Sequence, residues 1–72
     1  MTSDEAYDVI LQCRPQMGAN YLIADGVVYK VTMWALGGVA DKQTLRPDDP
    51  NYELYYRAAA NDPHTLYREK GK

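Results

Sequence analysis

Apolar residues recur at Ala6, Val9, Ile10 and Cys13, the i, i+3, i+4, i+7 spacing of one helix face. Thr2 and Glu5 stand at capping-box spacing just ahead of them, and Asp4 and Glu5 suit the positive end of a helix dipole. Pro15 cannot continue a helix, so the element ends near Cys13 or Arg14 after about three turns. The spacing thus predicts a short N-terminal helix that turns Cys13 towards the core. Gln16 to Ala19 form a connector.

From Tyr21 the period shortens to two. Asp25-Gly26 is a dipeptide that tolerates positive φ at both central positions of a tight hairpin turn, and β-branched and aromatic residues flank it. With the turn fixed there, Ala24 pairs with Val27, Ile23 with Val28, Leu22 with Tyr29 and Tyr21 with Lys30. Val27, Tyr29, Val31, Met33 and Ala35 then share an apolar face suited to covering by the helix. Val28, Lys30, Thr32, Trp34 and Leu36 share the other, which puts Trp34 at a rim. Gly37-Gly38 breaks the strand, and Val39 to Asp49 reads as an irregular connection.

The next segment has two readings. Asp49-Pro50 has the form of an N-cap followed by proline in the first helical position, which would place Tyr52, Tyr55, Tyr56 and Ala59 on one helix side. The same letters alternate with period two: Tyr52, Leu54, Tyr56 and Ala58 against Glu53, Tyr55 and Arg57. The alanines at 58–60 favour the helix. Asn61-Asp62-Pro63 ends the element, His64 to Tyr67 make a short strand or turn, and 68–72 form a frayed tail. The expectation is one α+β domain over residues 1–72: a short helix on a small antiparallel sheet of two or three strands, with a second helix near 50–60.

Composition then decides which functions are open. The chain has 72 residues, seven Tyr, one Trp and no Phe, with a net charge of −2. A core of this size supplies only roughly 3–5 kcal/mol. Seven phenols cannot all be buried in it, since each buried hydroxyl needs a partner. Exposed tyrosines beside the tryptophan are therefore expected, and such residues dominate interface hot spots. An acidic balance with scattered Lys and Arg speaks against a nucleic-acid partner. No apolar run reaches signal-peptide or membrane-span length, so no export signal and no membrane partner are expected. One cysteine allows no intrachain disulfide, and with one histidine no thiol-based metal site, which fits a cytoplasmic location in a bacterial host.

Catalytic chemistry has little to stand on. His64 follows a turn signal and reads as a solvated loop residue. Cys13 reads as a small buried thiol, and a pair formed with His64 would lack an orienting third group. Asp48 and Asp49 are explained by turn and capping duties. Gly37-Gly38 lacks the lysine or third glycine of a phosphate loop. No catalytic residue, cofactor or metal site is expected.

Gly26-Val-Val-Tyr29-Lys-Val-Thr-Met-Trp34-Ala-Leu-Gly37 resembles the central motif of small chitin- and cellulose-binding modules of bacterial chitinases, Gly-x-x-Tyr-x-Ala-x-Trp-Trp-Thr-x-Gly. The resemblance spans about Gly18 to Arg57, with Met33 where the first Trp of the pair stands. It implies a compact antiparallel sheet presenting aromatics to sugar rings, with Tyr52-Glu53-Leu54 in the closing strand. Two readings follow. In the first, a non-enzymatic protein of the phage or mobile-element accessory type, an inhibitor or assembly component, docks Trp34, Tyr55, Tyr56 and Arg57 on a protein partner. The alternative is a carbohydrate-binding module that stacks Trp34, Tyr52 and Tyr55 on a polysaccharide. A strand over 50–58 would favour the sugar, and a helix the protein. So thin a core also admits self-association into a homo-oligomer through a sheet edge.

Overall fold

A computed structural model describes residues 1–68. Helix α1 (Ser3–Gln12) leads into strand β1 (Gly18–Ala24), then β2 (Val27–Met33) and β3 (Val39–Leu45). Helix α2 (Tyr52–Ala60) and a short β4 (Leu66–Arg68) complete the α+β fold. The strands form one sheet in the order β3-β2-β1-β4.

Helix α1 starts as its sequence dictates. The Glu5 amide donates to Thr2 Oγ1 at 3.2 Å, and the Thr2 amide donates to Glu5 Oε1 at 2.7 Å. These two bonds satisfy amides that the first turn would otherwise leave orphaned. Ala6 and Ile10 are buried. Cys13 is not: as the C-cap residue it has left helical geometry (φ −99°, ψ 34°), and its thiol is exposed. The i+7 spacing that assigned it to the core holds only while the helix continues.

The hairpin forms in the register read from sequence, from Ala24↔Val27 through Tyr21↔Lys30 and on to Gly18↔Met33. Asp25 (φ 52°) and Gly26 (φ 78°) both lie in the left-handed region, which gives the turn the twist its strands require. Val27, Tyr29, Val31 and Met33 pack on the α1 side together with Leu22 and Ala24. Ala35 lies beyond the end of β2.

Three expectations need correction. Residues 39–45, read as irregular, form β3, which pairs antiparallel with β2. Gly37 and Gly38, both at positive φ, turn the chain back rather than ending the sheet. The Trp34 amide donates to the Gly38 carbonyl and the Gly37 amide to the Trp34 carbonyl, closing a second hairpin. Thr32 pairs with Asp41 but Met33 with Val39, so a bulge at Ala40 offsets the register. Secondly, the sheet has four strands and is mixed, because β4 pairs parallel with β1 across Leu22↔Leu66. Arg68, assigned to a frayed tail, is the last residue of β4, and 69–72 lie outside the described residues. Thirdly, α2 begins at Tyr52 with Asn51 at its N-cap position, two residues later than the Asp49-Pro50 signal. Asp49 still serves the helix start: its Oδ1 accepts from the Asn51 amide and its carbonyl from the Tyr52 amide.

The helices lie on opposite faces of the sheet. Ala6 and Ile10 of α1 pack with Leu22, Ala24, Tyr29 and Val31. Ala59 of α2 packs with Ile23, Val28 and Leu45, and Tyr21, Tyr52 and Tyr55 surround that cluster. Parity produces this division, since neighbouring residues of β1 and β2 face opposite ways.

Candidate functional site

Helix α2 is held on the sheet by two hydrogen bonds, the small Ala59 side chain and the partly buried rings of Tyr52 and Tyr55. Tyr52 Oη donates to the Gly26 carbonyl at 2.6 Å, which ties the first turn of the helix to the β1–β2 turn. Thr65 Oγ1 donates to the Ala59 carbonyl at 2.6 Å and ties its last turn to the chain entering β4. Ala59, the only residue of α2 that is fully buried, lets the helix approach closely. Tyr55 faces inward beside it, and the Lys30 ammonium sits 4.9 Å from the Tyr55 ring centroid.

The outward side of α2 carries a groove of about 340 Å³ lined by Tyr52, Glu53, Tyr56, Arg57, Ala60 and Asn61. The Tyr52 and Tyr56 rings lie 5.7 Å apart and tilted by 36°, within the separation at which aromatic pairs interact. The Tyr52 hydroxyl bond fixes one wall in place. Burial raises the Tyr52 phenol above the ordinary tyrosine range, and the neighbouring Tyr56 adds to the shift. The Tyr52 phenol therefore keeps its proton at physiological pH. Glu53 and Arg57 stand one turn apart on the rim, so the groove offers opposite charges beside an aromatic floor. Leu54, 66% exposed, and Tyr56, 40% exposed, add apolar surface around the helix.

Trp34 is exposed, as its rim position predicts, but it does not join this groove. It follows the last residue of β2, whereas Tyr52 is bonded to the turn before the first. Seven strand residues separate them, about 25 Å by strand rise. Tyr56 and Arg57 thus form one site with Tyr52, which sequence reasoning had placed only among sugar-stacking residues. Tyr55 supports the site from beneath. The i, i+4 spacing of Tyr52 and Tyr56 was the available signal for the groove, whereas its separation from Trp34 is tertiary.

A smaller cavity of about 240 Å³ lies where α1 ends against β1 and β4. Cys13 and His64 both line it, together with Asn20 and Tyr21. Burial raises the Tyr21 phenol, with Asp62 and Tyr55 adding to the shift. The His64 amide donates to Asp62 Oδ1, the turn that Asn61-Asp62-Pro63 predicts. Among the described residues no three His, Cys, Asp or Glu side chains come together as a metal site. No helix there is long and apolar enough to cross a membrane. Comparison with known proteins finds no matching family model, curated protein or solved structure.

Proposed function

We propose that this chain is a small non-enzymatic binding protein whose α2 groove docks on a protein partner. The observation that carries the reading is the groove itself: a tethered Tyr52 ring beside the Tyr56 ring, with Arg57 and Glu53 on the rim, on a helix whose opposite side already covers the sheet. Tyr and Arg around a concave floor are the composition of interface hot spots. Residues 52–60 are helical, and this supports a protein partner over a polysaccharide, since the closing strand implied by the chitin-module resemblance would occupy Tyr52 to Leu54.

The partner contributes an apolar side chain to the aromatic floor and an acidic group to Arg57. Affinity capture from the native host, quantified by mass spectrometry, tests this. The double variant Tyr56→Ala/Arg57→Ala should lose the captured partner by at least about tenfold, because truncating hot-spot residues costs ~2 kcal/mol or more. Its circular dichroism should match the parent, as both side chains are exposed. Equal recovery by a folded double variant would rule the groove out.

A further inference from the structure

Among the described residues, eight large apolar side chains are exposed, and Met17, Trp34, Leu36 and Val39 share one end of the sheet. The register brings them together: Gly18 pairs with Met33 and Met33 with Val39, so Met17, Trp34 and Val39 are neighbours across three strands. Leu36 stands fully exposed in the turn beyond them. Neither chain segment at this end bears a charge: 15–20 and 31–40 contain no Asp, Glu, Lys or Arg. The first charges above the end are Arg14, Lys30 and Lys42, with Asp41 as the one acid. Lys30 points to the α2 side and Lys42 to the α1 side, each over a tyrosine ring. The opposite end of the sheet collects Asp25, Asp48, Asp49 and Glu53 against Arg46 and Arg68, the last paired with Ala24.

We propose that the Met17–Trp34–Leu36–Val39 end inserts into the headgroup region of a phospholipid bilayer, with Arg14, Lys30 and Lys42 facing the lipid phosphates. Three properties select this occupant. The end is a convex hairpin tip, and four side chains cannot supply the ~800 Å² per partner of a stable dimer, so a second copy does not cover it. Its charge-free height matches a shallow interfacial insertion: Asp41, the first charge on β3, pairs with Thr32, two residues above Trp34, or about 7 Å by strand rise, and Lys42 follows one residue higher. Lysine stems of this kind extend along apolar surface while the ammonium stays in the polar layer. Tryptophan, finally, prefers this boundary between water and hydrocarbon. Insertion stays shallow because the turn closes only two of its own backbone bonds, Trp34 to Gly38 and Gly37 to Trp34, and its other polar groups need water. A membrane-spanning segment is not required, and the acidic end points away from the lipid.

Trp34 is the only tryptophan, so its fluorescence reports on this end alone. The full chain is titrated with phosphatidylcholine vesicles, with and without phosphatidylglycerol, following emission and co-sedimentation. The expected result is a blue shift with co-sedimentation, stronger when the anionic lipid is present. Leu36→Asp, at a fully exposed position that leaves folding intact by circular dichroism, should weaken binding by about tenfold or more. Tyr56→Ala, on the α2 groove, should leave it unchanged. Unshifted emission with both vesicle types overturns the proposal, as does undiminished binding by Leu36→Asp. A protein whose capture depends on Leu36 while vesicles are ignored would assign the tip to that protein instead.

Discussion

On the α1 side of the sheet, Ala6 and Ile10 close over Leu22, Ala24, Tyr29 and Val31 in a mostly aliphatic layer. On the α2 side the helix buries only Ala59, and phenol-bearing side chains complete the packing around Ile23, Val28 and Leu45. The helix starts differ in the same sense. Thr2 and Glu5 cap α1 reciprocally, while Asn51 makes no side-chain bond at the start of α2. Ser3 and Tyr7 of α1 both hydrogen-bond the Thr44 hydroxyl, which fastens the helix to β3 as well. One face therefore provides stability, and the other keeps its aromatic surface available because little of it is consumed in packing. Large truncations should separate the faces first. Leu22→Ala, at a fully buried position on the α1 face, is expected to cost about 2–5 kcal/mol, much or all of what a core this small provides. Ala59→Gly on the α2 face removes one methyl and adds helix flexibility, about 1 kcal/mol. Urea denaturation of the two variants measures the contrast, and equal losses would erase it.

The stable face is also the one whose local signals were complete. A capping box, a 3.6-residue spacing and an Asp-Gly turn each act within a few residues, so α1 and the β1–β2 register could be derived without tertiary context. β3 escaped because it is an edge strand: solvent on its outer side lets Asp41, Lys42, Gln43 and Thr44 replace the apolar alternation of a covered strand. Those charges also discourage edge-to-edge pairing, which works against the self-association that a thin core would allow. Gly37-Gly38 carried the missing signal, since two adjacent glycines serve a reversal as well as a break. The parallel β1–β4 pairing joins residues more than forty positions apart and leaves no local trace. At the candidate site, the exposure of Trp34 and the presence of α2 were legible. Which aromatics assemble was not, because that depends on the direction in which α2 crosses the sheet.

A smaller effect tests the capped start of α1. Thr2→Ala removes the acceptor for the Glu5 amide and should cost about 1 kcal/mol. Bonds from the Thr2 amide and Thr2 side chain hold the Glu5 carboxyl below its ordinary range. A depressed carboxylate contributes stability that is present above its unfolded value and lost as pH falls through the folded one. The parent should therefore lose stability on acidification where Thr2→Ala loses less. Parallel acid limbs for the two proteins would show that the cap adds nothing at that end.

The smallest expected effect bears most directly on the groove. Tyr52 Oη donates to the Gly26 carbonyl, and this bond seats the first turn of α2 on the hairpin. A single neutral hydrogen bond contributes about 0.5–1.5 kcal/mol, so Tyr52→Phe should cost on that order at neutral pH, the ring itself being retained. The pH dependence gives the sharper test. Burial raises the Tyr52 phenol above its unfolded value, so the folded state holds the proton more tightly. Its contribution is fully present below the ordinary tyrosine range and is lost as pH rises through the raised value, where a phenolate can no longer donate to a carbonyl. Tyr21 is raised as well, so the alkaline limb should shrink in Tyr52→Phe without vanishing. Since that bond fixes one wall of the groove, Tyr52→Phe should also loosen the Tyr52–Tyr56 ring pair, readable as narrowed chemical-shift dispersion of the Tyr56 ring protons. Unchanged ring shifts with an unchanged alkaline limb would mean that the groove holds its shape without the tether, and that the contrast between the two faces rests on hydrocarbon alone.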